Sequence, residues 1–239
     1  MKTFNVFFIG LFSFLISSLN SFCQQSNSNI QMVGAMKNVM WKGQLYGTIN
    51  LDTISNKQHL FGLGPVEYLT GELLIIDGKA YKSTVVTDST MQVEETFQAK
   101  APFFGYATIN NWSEQDLPDS IQTIAQLETF LDKITKNAVH PFFFQLKGTL
   151  ETAKIHVVNL PKGSKVSSPE DAHQGQTNYF LNQDEVTILG FFSKDHQAVF
   201  THHDTYLHMH LITSDKQKMG HLYDFFFQKG TFKLYLPTP

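Results

Sequence analysis

The chain has 239 residues, 42% hydrophobic and 13% aromatic, with a formal net charge of −3. That length allows one domain with a substantial core, and the apolar content excludes a disordered chain. Its 18 basic residues are all lysine, with no arginine and no lysine cluster, which excludes a phosphate-tracking nucleic-acid groove.

The first 23 residues read as an export signal. Lys2 supplies the positive end, residues 4–19 are largely apolar and uncharged, and Ser21 and Cys23 are small residues at the −3 and −1 positions of a cleavage site before Gln24. The expectation is a secreted or periplasmic protein with no stable membrane insertion after processing. Two alternatives stand beside it. A lipid anchor would use Cys23, but Phe22 before it is bulky for that signal. A retained membrane anchor would need a longer and less Ser-rich stretch. Cys23 is the only cysteine, so cleavage after it leaves no thiol for a disulfide, a thiolate metal site or a nucleophile. Residues 24–31 are polar and read as a flexible segment, which leaves 32–239 as the domain.

Residues 32–46 are mixed and show no clear period. Residues 60–64 (Leu-Phe-Gly-Leu-Gly) are punctuated by glycine but lack the Lys-Ser/Thr of a phosphate loop. Residues 71–81 read as a hairpin, because an apolar run meets Asp77-Gly78, which tolerates the positive φ of a type I′ turn. Strands are expected over 83–97 and 101–109, the second starting at an edge because of Pro102. The period then changes. Ser120 can cap a helix in which Ile121, Ile124, Leu127, Leu131 and Ile134 line one face. Strands return at 142–146 and 154–158, a polar loop covers 161–176, and further strands follow at 186–192 and 232–236. The sum is an α+β fold dominated by sheet, with one long amphipathic helix near the middle.

Three histidines near the C-terminal end carry the chemistry. Residues i and i+2 of a strand share a face, so His208 and His210 point the same way. Residues 214–217 (Ser-Asp-Lys-Gln) read as a turn, and a hairpin centred there returns His221 roughly opposite His210. Three imidazoles on one face, with no fourth protein ligand obvious, suit a catalytic zinc with an open position. His202 and His203 adjoin Asp204 and read as loop residues, either of which could replace a ligand.

The order of these pieces resembles the alpha-acetolactate decarboxylases. The resemblance rests on residues 61–64 with 69–72 and 76–78, on residues 101–103, on 189–191, and on the histidine hairpin with both its spacings. It covers nearly all of the chain after the leader. It implies two mixed β-sheet halves with a zinc site in the cleft between them, and a homodimer. It implies His208, His210 and His221 as ligands of Zn2+, Glu72 as a functional glutamate, and conversion of a small-molecule acid, 2-acetolactate, to acetoin and carbon dioxide. Glu72 is then the candidate for protonating the enediolate left by decarboxylation.

The chain departs from that pattern in three places. The family's arginine on a central strand, which binds the substrate carboxylate, aligns with Gln145, an uncharged donor. Lys147 lies two residues on, on the same strand face, and could supply a charge. Pro65 stands where a threonine is expected, and no acidic residue follows Asp224, where the family carries a second glutamate on a C-terminal tail. Two readings stay open: a zinc-dependent decarboxylase with altered substrate handling, or a family-fold protein that binds metal or a small ligand, or acts on another β-keto acid. No His-Glu-x-x-His helix supports a hydrolytic zinc enzyme.

Overall fold

The computed structural model describes residues 30–136, 141–201 and 205–238. The leader with Cys23, nearly all of the 24–31 segment, and the alternative ligands His202 and His203 lie outside the described residues. Among the described residues, no helix is long and apolar enough to cross a membrane.

Two sheets divide the chain in order. The first half supplies β1 (Gln31–Val33), helix α1 (Met36–Lys42), β2 (Ile49–Asn50), β3 (Leu60–Pro65), β4 (Glu72–Ile76), β5 (Lys79–Val85), β6 (Met91–Glu95), β7 (Lys100–Ala101) and β8 (Phe104–Thr108). Six of these strands form one sheet in the order β1-β8-β3-β4-β5-β6, and β2 pairs β7 separately. The second half supplies β9 (Asn111–Asp116), α2 (Ile124–Ile134), β10 (Phe142–Val157), α3 (Pro169–Ala172), β11 (Thr177–Asn182), β12 (Glu185–Phe192), β13 (Leu207–Thr213), β14 (Met219–Phe227) and β15 (Lys233–Thr238). These seven strands form the second sheet.

Every pairing between the named strands is antiparallel, so the sheets are not mixed as the resemblance implied. The connections are hairpins and returns, and none is the crossover that parallel neighbours require. The β4–β5 hairpin turns at Asp77 (φ 46°) and Gly78 (φ 78°), the left-handed pair a type I′ turn needs.

The helix differs from the expectation. It starts at Ile124 and is capped by Thr123, whose side-chain oxygen accepts from the Gln126 N–H at 3.3 Å. Ile121 sits in a turn that its N–H closes onto the Pro118 carbonyl, so it packs in the core without joining the helix. Eleven residues, about three turns, make α2 an ordinary helix rather than a long one. The two strands expected at 142–146 and 154–158 are one, β10. Glu151 and Thr152 in its middle are exposed, which breaks the apolar run but not the ladder. Strands β9 and β11 and helix α1 carried no legible period. The polar loop over 161–176 contains α3, capped by Ser168.

β10 organises the second sheet. Residues 142–149 pair with β12, and residues 150–156 pair with β14. Since β12, β13 and β14 are already paired in series, the long strand closes the four into a ring. Alternation splits the side chains between two cores. Phe142, Phe144, Leu146, Ile188, Met209 and Leu211 pack in one with Leu127 and Leu131 of α2. Phe143, Leu189, Phe191 and Ile212 pack on the opposite face against Phe61, Leu63 and Leu74 of the first sheet and Phe103, which precedes β8.

Gly190 sets the fit of the first core. It lies opposite Phe144, and a Cβ there would come within 2.1 Å of the Phe144 ring. Overpacking of that kind costs about 1–3 kcal/mol. Gly190→Ala is therefore expected to lower unfolding stability by about that amount, read as the shift of a urea midpoint at unchanged slope.

Candidate metal centre

On β13, Leu207, Met209 and Leu211 enter the ring core, so His208 and His210 face the first sheet. The β13–β14 turn is fastened by the Thr213 hydroxyl, which donates to the Asp215 carboxylate at 2.6 Å, and Lys216 takes the left-handed conformation (φ 61°). His221 then stands directly opposite His210, as the spacing predicted. The three rings form a near-equilateral triangle, with centroids 5.0–5.4 Å apart. One ligand atom from each lies within 4.8 Å of the others. All three side chains are buried.

Backbone carbonyls orient two of the rings. His210 Nδ1 lies 2.9 Å from the Leu73 carbonyl on β4, and His208 Nδ1 lies 2.9 Å from the Phe200 carbonyl. A carbonyl can only accept, so each Nδ1 carries the proton and leaves Nε2 as the ligand atom. The Phe200 carbonyl is itself held in place. The Met36 and Lys37 N–H groups at the start of α1 donate to the Val199 and Ala198 carbonyls. Those N–H groups have no partner within the helix, so the bonds satisfy α1 and fix the segment that orients His208.

Glu72 reaches the cluster from the first sheet. Its carboxylate accepts from the Val158 N–H at 3.2 Å and lies 3.6 Å from His210 Nε2. Burial raises its carboxyl to about 8, against the smaller opposing effect of the Val158 N–H. The approach to Glu72 is strained: Tyr68 (φ 60°) and Leu69 (φ 52°) are both left-handed, at a cost of about 1–3 kcal/mol each. Gly71 follows, where a Cβ would meet the Ser83 carbonyl at 2.2 Å, so only glycine allows this approach of β4 to β5. Ser83 faces Glu72 across the ladder, is fully buried, and its hydroxyl has no hydrogen-bond partner among the described residues. Pro65 is the other neighbour of Glu72.

The other two proposed site residues lie farther away. Gln145 is buried in the same cross-strand row, but Leu189 stands between it and His210. Its carbonyl oxygen has no partner among the described residues. Lys147 is exposed, and its ammonium lies 4.7 Å from the Tyr235 ring centroid, so water screens the charge it was expected to bring. The row continues on the other side to a residue that the sequence did not reveal. His156 on β10 is opposite His221, is buried, and stacks on it with ring centroids 4.7 Å apart and planes at 21°. It lies in a plain strand segment far from the histidine hairpin, and only the strand pairing brings it there.

The donor set fits a divalent ion: three imidazoles with a ligand atom of each within 4.8 Å of the others, two of them oriented by backbone carbonyls, and a carboxyl beside them. The alpha-acetolactate decarboxylase family model matches residues 32–236. The chain is 25% identical over 228 residues to the alpha-acetolactate decarboxylase of Lactococcus lactis subsp. cremoris, covering 92% of this chain and 85% of that one. It is 23% identical over 221 residues to that of Brevibacillus brevis, covering 88% and 74%. The fold matches the crystal structure of alpha-acetolactate decarboxylase from Bacillus subtilis strain 168 with a TM-score of 0.69 at 18% identity, covering 88% of this chain and 85% of that one. A Staphylococcus aureus protein of unknown function similar to alpha-acetolactate decarboxylase gives a TM-score of 0.66 at 15% identity, with the same coverage of both chains. The chain therefore belongs to the alpha-acetolactate decarboxylase family of carboxy-lyases.

Proposed function

We propose that this protein is a zinc-dependent decarboxylase that converts 2-acetolactate to acetoin and carbon dioxide. The observation that carries the reading is the convergence of His208, His210, His221 and Glu72 in one buried cluster between the sheets. Loss of carbon dioxide leaves an electron pair on the carbon that bore the carboxylate, and the neighbouring ketone takes it up as an enediolate. A zinc ion held by His208, His210 and His221 supplies, when bound, a Lewis acid for the charge that develops.

The chain's own residues do the rest. The Leu73 and Phe200 carbonyls keep the His210 and His208 rings from rotating. Phe103, Phe143, Leu189 and Phe191 pack in the same core and keep bulk water from the cluster. Glu72 stands 3.6 Å from His210 Nε2, within reach of the centre, which suits it to protonate the enediolate carbon, and its burial favours the protonated form in the metal-free protein. Gln145 offers an amide donor in the same row, whereas exposed Lys147 takes no part. Secretion, argued from the leader pattern at Lys2 and residues 4–19, and a homodimer, argued from the family resemblance, complete the proposal.

An acetoin assay on metal-stripped and zinc-reloaded protein tests the reading. Zinc-dependent acetoin formation above the spontaneous rate supports it. Protein that holds zinc but forms no acetoin would overturn the acetolactate assignment, leaving another β-keto acid or a binding role. In the same assay, His208→Ala is expected to lose metal and activity together. Glu72→Gln is expected to keep its metal while kcat falls on the order of 10²–10⁴-fold. Full activity in Glu72→Gln would remove Glu72 from proton transfer.

Burial of Glu72 also makes a pH prediction for the metal-free protein. Between about 4.5, the ordinary carboxyl value, and about 8, folded Glu72 keeps a proton that the unfolded chain has released. Its contribution to stability is therefore fully present below about 4.5 and is lost as pH rises through 8. Relative to Glu72→Gln, the wild type should lose up to about 1.4 kcal/mol per pH unit across that window. Urea titrations of both proteins at pH 5 and pH 8 measure the difference, and a pH-independent gap would contradict it.

A further inference from the structure

A decarboxylase for a 2-hydroxy-3-keto acid has to hold a carboxylate beside its metal centre, and this chain has no arginine to do so. Position decides among the polar residues available. Glu72 brings no positive charge to attract an acid and is already assigned to proton delivery. Gln145 is separated from His210 by Leu189, and Lys147 is exposed over Tyr235. His156 is the immediate neighbour of the triad, stacked on His221.

His156 is itself buried but adjoins two side chains that reach the surface. Its far side meets His173, the residue that ends α3, at 5.8 Å between ring centroids with the planes at 90°. Tyr223 lies 6.4 Å away and is 56% exposed. Tyr223 is also the extra residue of a β-bulge on β14, since Lys154 pairs with Asp224 while Ile155 pairs with Leu222. Bulges beside functional sites re-aim side chains, and this one falls next to the pairing of His156 with His221. Half-buried Lys154 precedes His156 by two residues on β10 and is drawn over the Tyr223 ring at 4.4 Å, so the nearest cation on that strand lies at the outer end.

We propose that His156 is the substrate-carboxylate contact of this site, donating a ring N–H to the acid group of the substrate at the outer side of the three-histidine centre. An imidazole carries an N–H whether neutral or protonated, so the role does not depend on its charge. The proposal rests on the decarboxylase reading for its substrate but can be tested by binding alone.

The experiment compares wild type with His156→Phe, which keeps a stacked ring without the donor, and with His156→Gln, which keeps a donor without the ring. Zinc content is measured for all three. Binding of 2-hydroxyisobutyrate, a non-reactive acid, and of its uncharged amide is followed by calorimetry on the zinc-loaded proteins. The expected result is a preference of the wild type for the acid. His156→Phe should lose on the order of 10–100-fold in acid affinity, as for a hydrogen bond to a charged group, with zinc content unchanged and His156→Gln recovering part of the loss. In the acetoin assay the same loss should appear mainly in KM. Equal acid affinity in wild type and His156→Phe would overturn the proposal, and so would loss of zinc from His156→Phe, which would make His156 a support of the metal centre. Failure of the wild type to make acetoin strikes the decarboxylase reading instead, because the calorimetric comparison reads His156 without turnover.

Discussion

Strand β10 has to pair with two partners in succession, and the geometry of the centre follows from that constraint. Its first half is hydrogen-bonded to β12 and its second half to β14. The ring closes only if both registers hold at once. Extra residues at Glu151 and Tyr223 take up the mismatch, one on each strand. Because opposite residues share a face, the two registers place Gln145, Leu189, His210, His221 and His156 in one row. A slip of one residue would turn the whole row into the hydrophobic core on the other face. The packing of Phe142, Phe144 and Leu146 in that core therefore protects the position of the polar row as well as stability.

A buried polar row is costly unless its groups find partners. Here much of the compensation comes from backbone that already belongs to regular structure. The Leu73 carbonyl is part of β4, and the Phe200 carbonyl sits in a segment tied to the start of α1. Glu72 and Leu73 are consecutive, so one short stretch of β4 supplies the carboxyl with its side chain and orients His210 with its carbonyl. A shift of β4 would displace both together. The left-handed pair Tyr68 and Leu69 and the close contact at Gly71 show where the chain is bent to hold that stretch in place. The first sheet thus gives the centre one backbone carbonyl and one carboxyl, and the second sheet supplies the imidazoles.

Local patterns were legible in the sequence, and pairings between distant segments were not. The β13–β14 hairpin could be read because its turn and both its strands lie within one short stretch, so the register of His210 with His221 follows from the spacing. The Asp77-Gly78 turn was legible for the same reason. The helix was found but started too early, since Ser120 and Thr123 are both plausible caps and only tertiary packing of Ile121 decides between them. β10 was divided in two by Glu151 and Thr152, which are exposed even though Thr152 is paired on both sides, with Asn182 of β11 and Phe226 of β14, so side-chain exposure hid a strand that the backbone continues. His156 was missed because its partner, His221, is reached only after four further strands have been laid down. Lys147 shares a strand face with Gln145 but lies in the middle of β10, where the strand is exposed, and alternation alone does not reveal that change in burial along the strand.

The lack of arginine also changes the energetic problem the site must solve. In a decarboxylation, negative charge leaves the carboxylate and moves toward the ketone oxygen. A full positive charge on the carboxylate would hold the reactant more tightly than the transition state, and uniform or reactant-favouring binding does not raise kcat. An imidazole or amide donor anchors the acid more weakly, at the expense of affinity, but opposes the departure of charge less. The apolar side chains packed in the core that the histidines face, Phe103, Phe143, Leu189 and Phe191, act in the same direction, because a carboxylate is poorly solvated beside them and carbon dioxide is not charged. A centre with strong metal ligands and weak carboxylate donors is thus consistent with catalysis, provided that the substrate is abundant enough to tolerate a high KM.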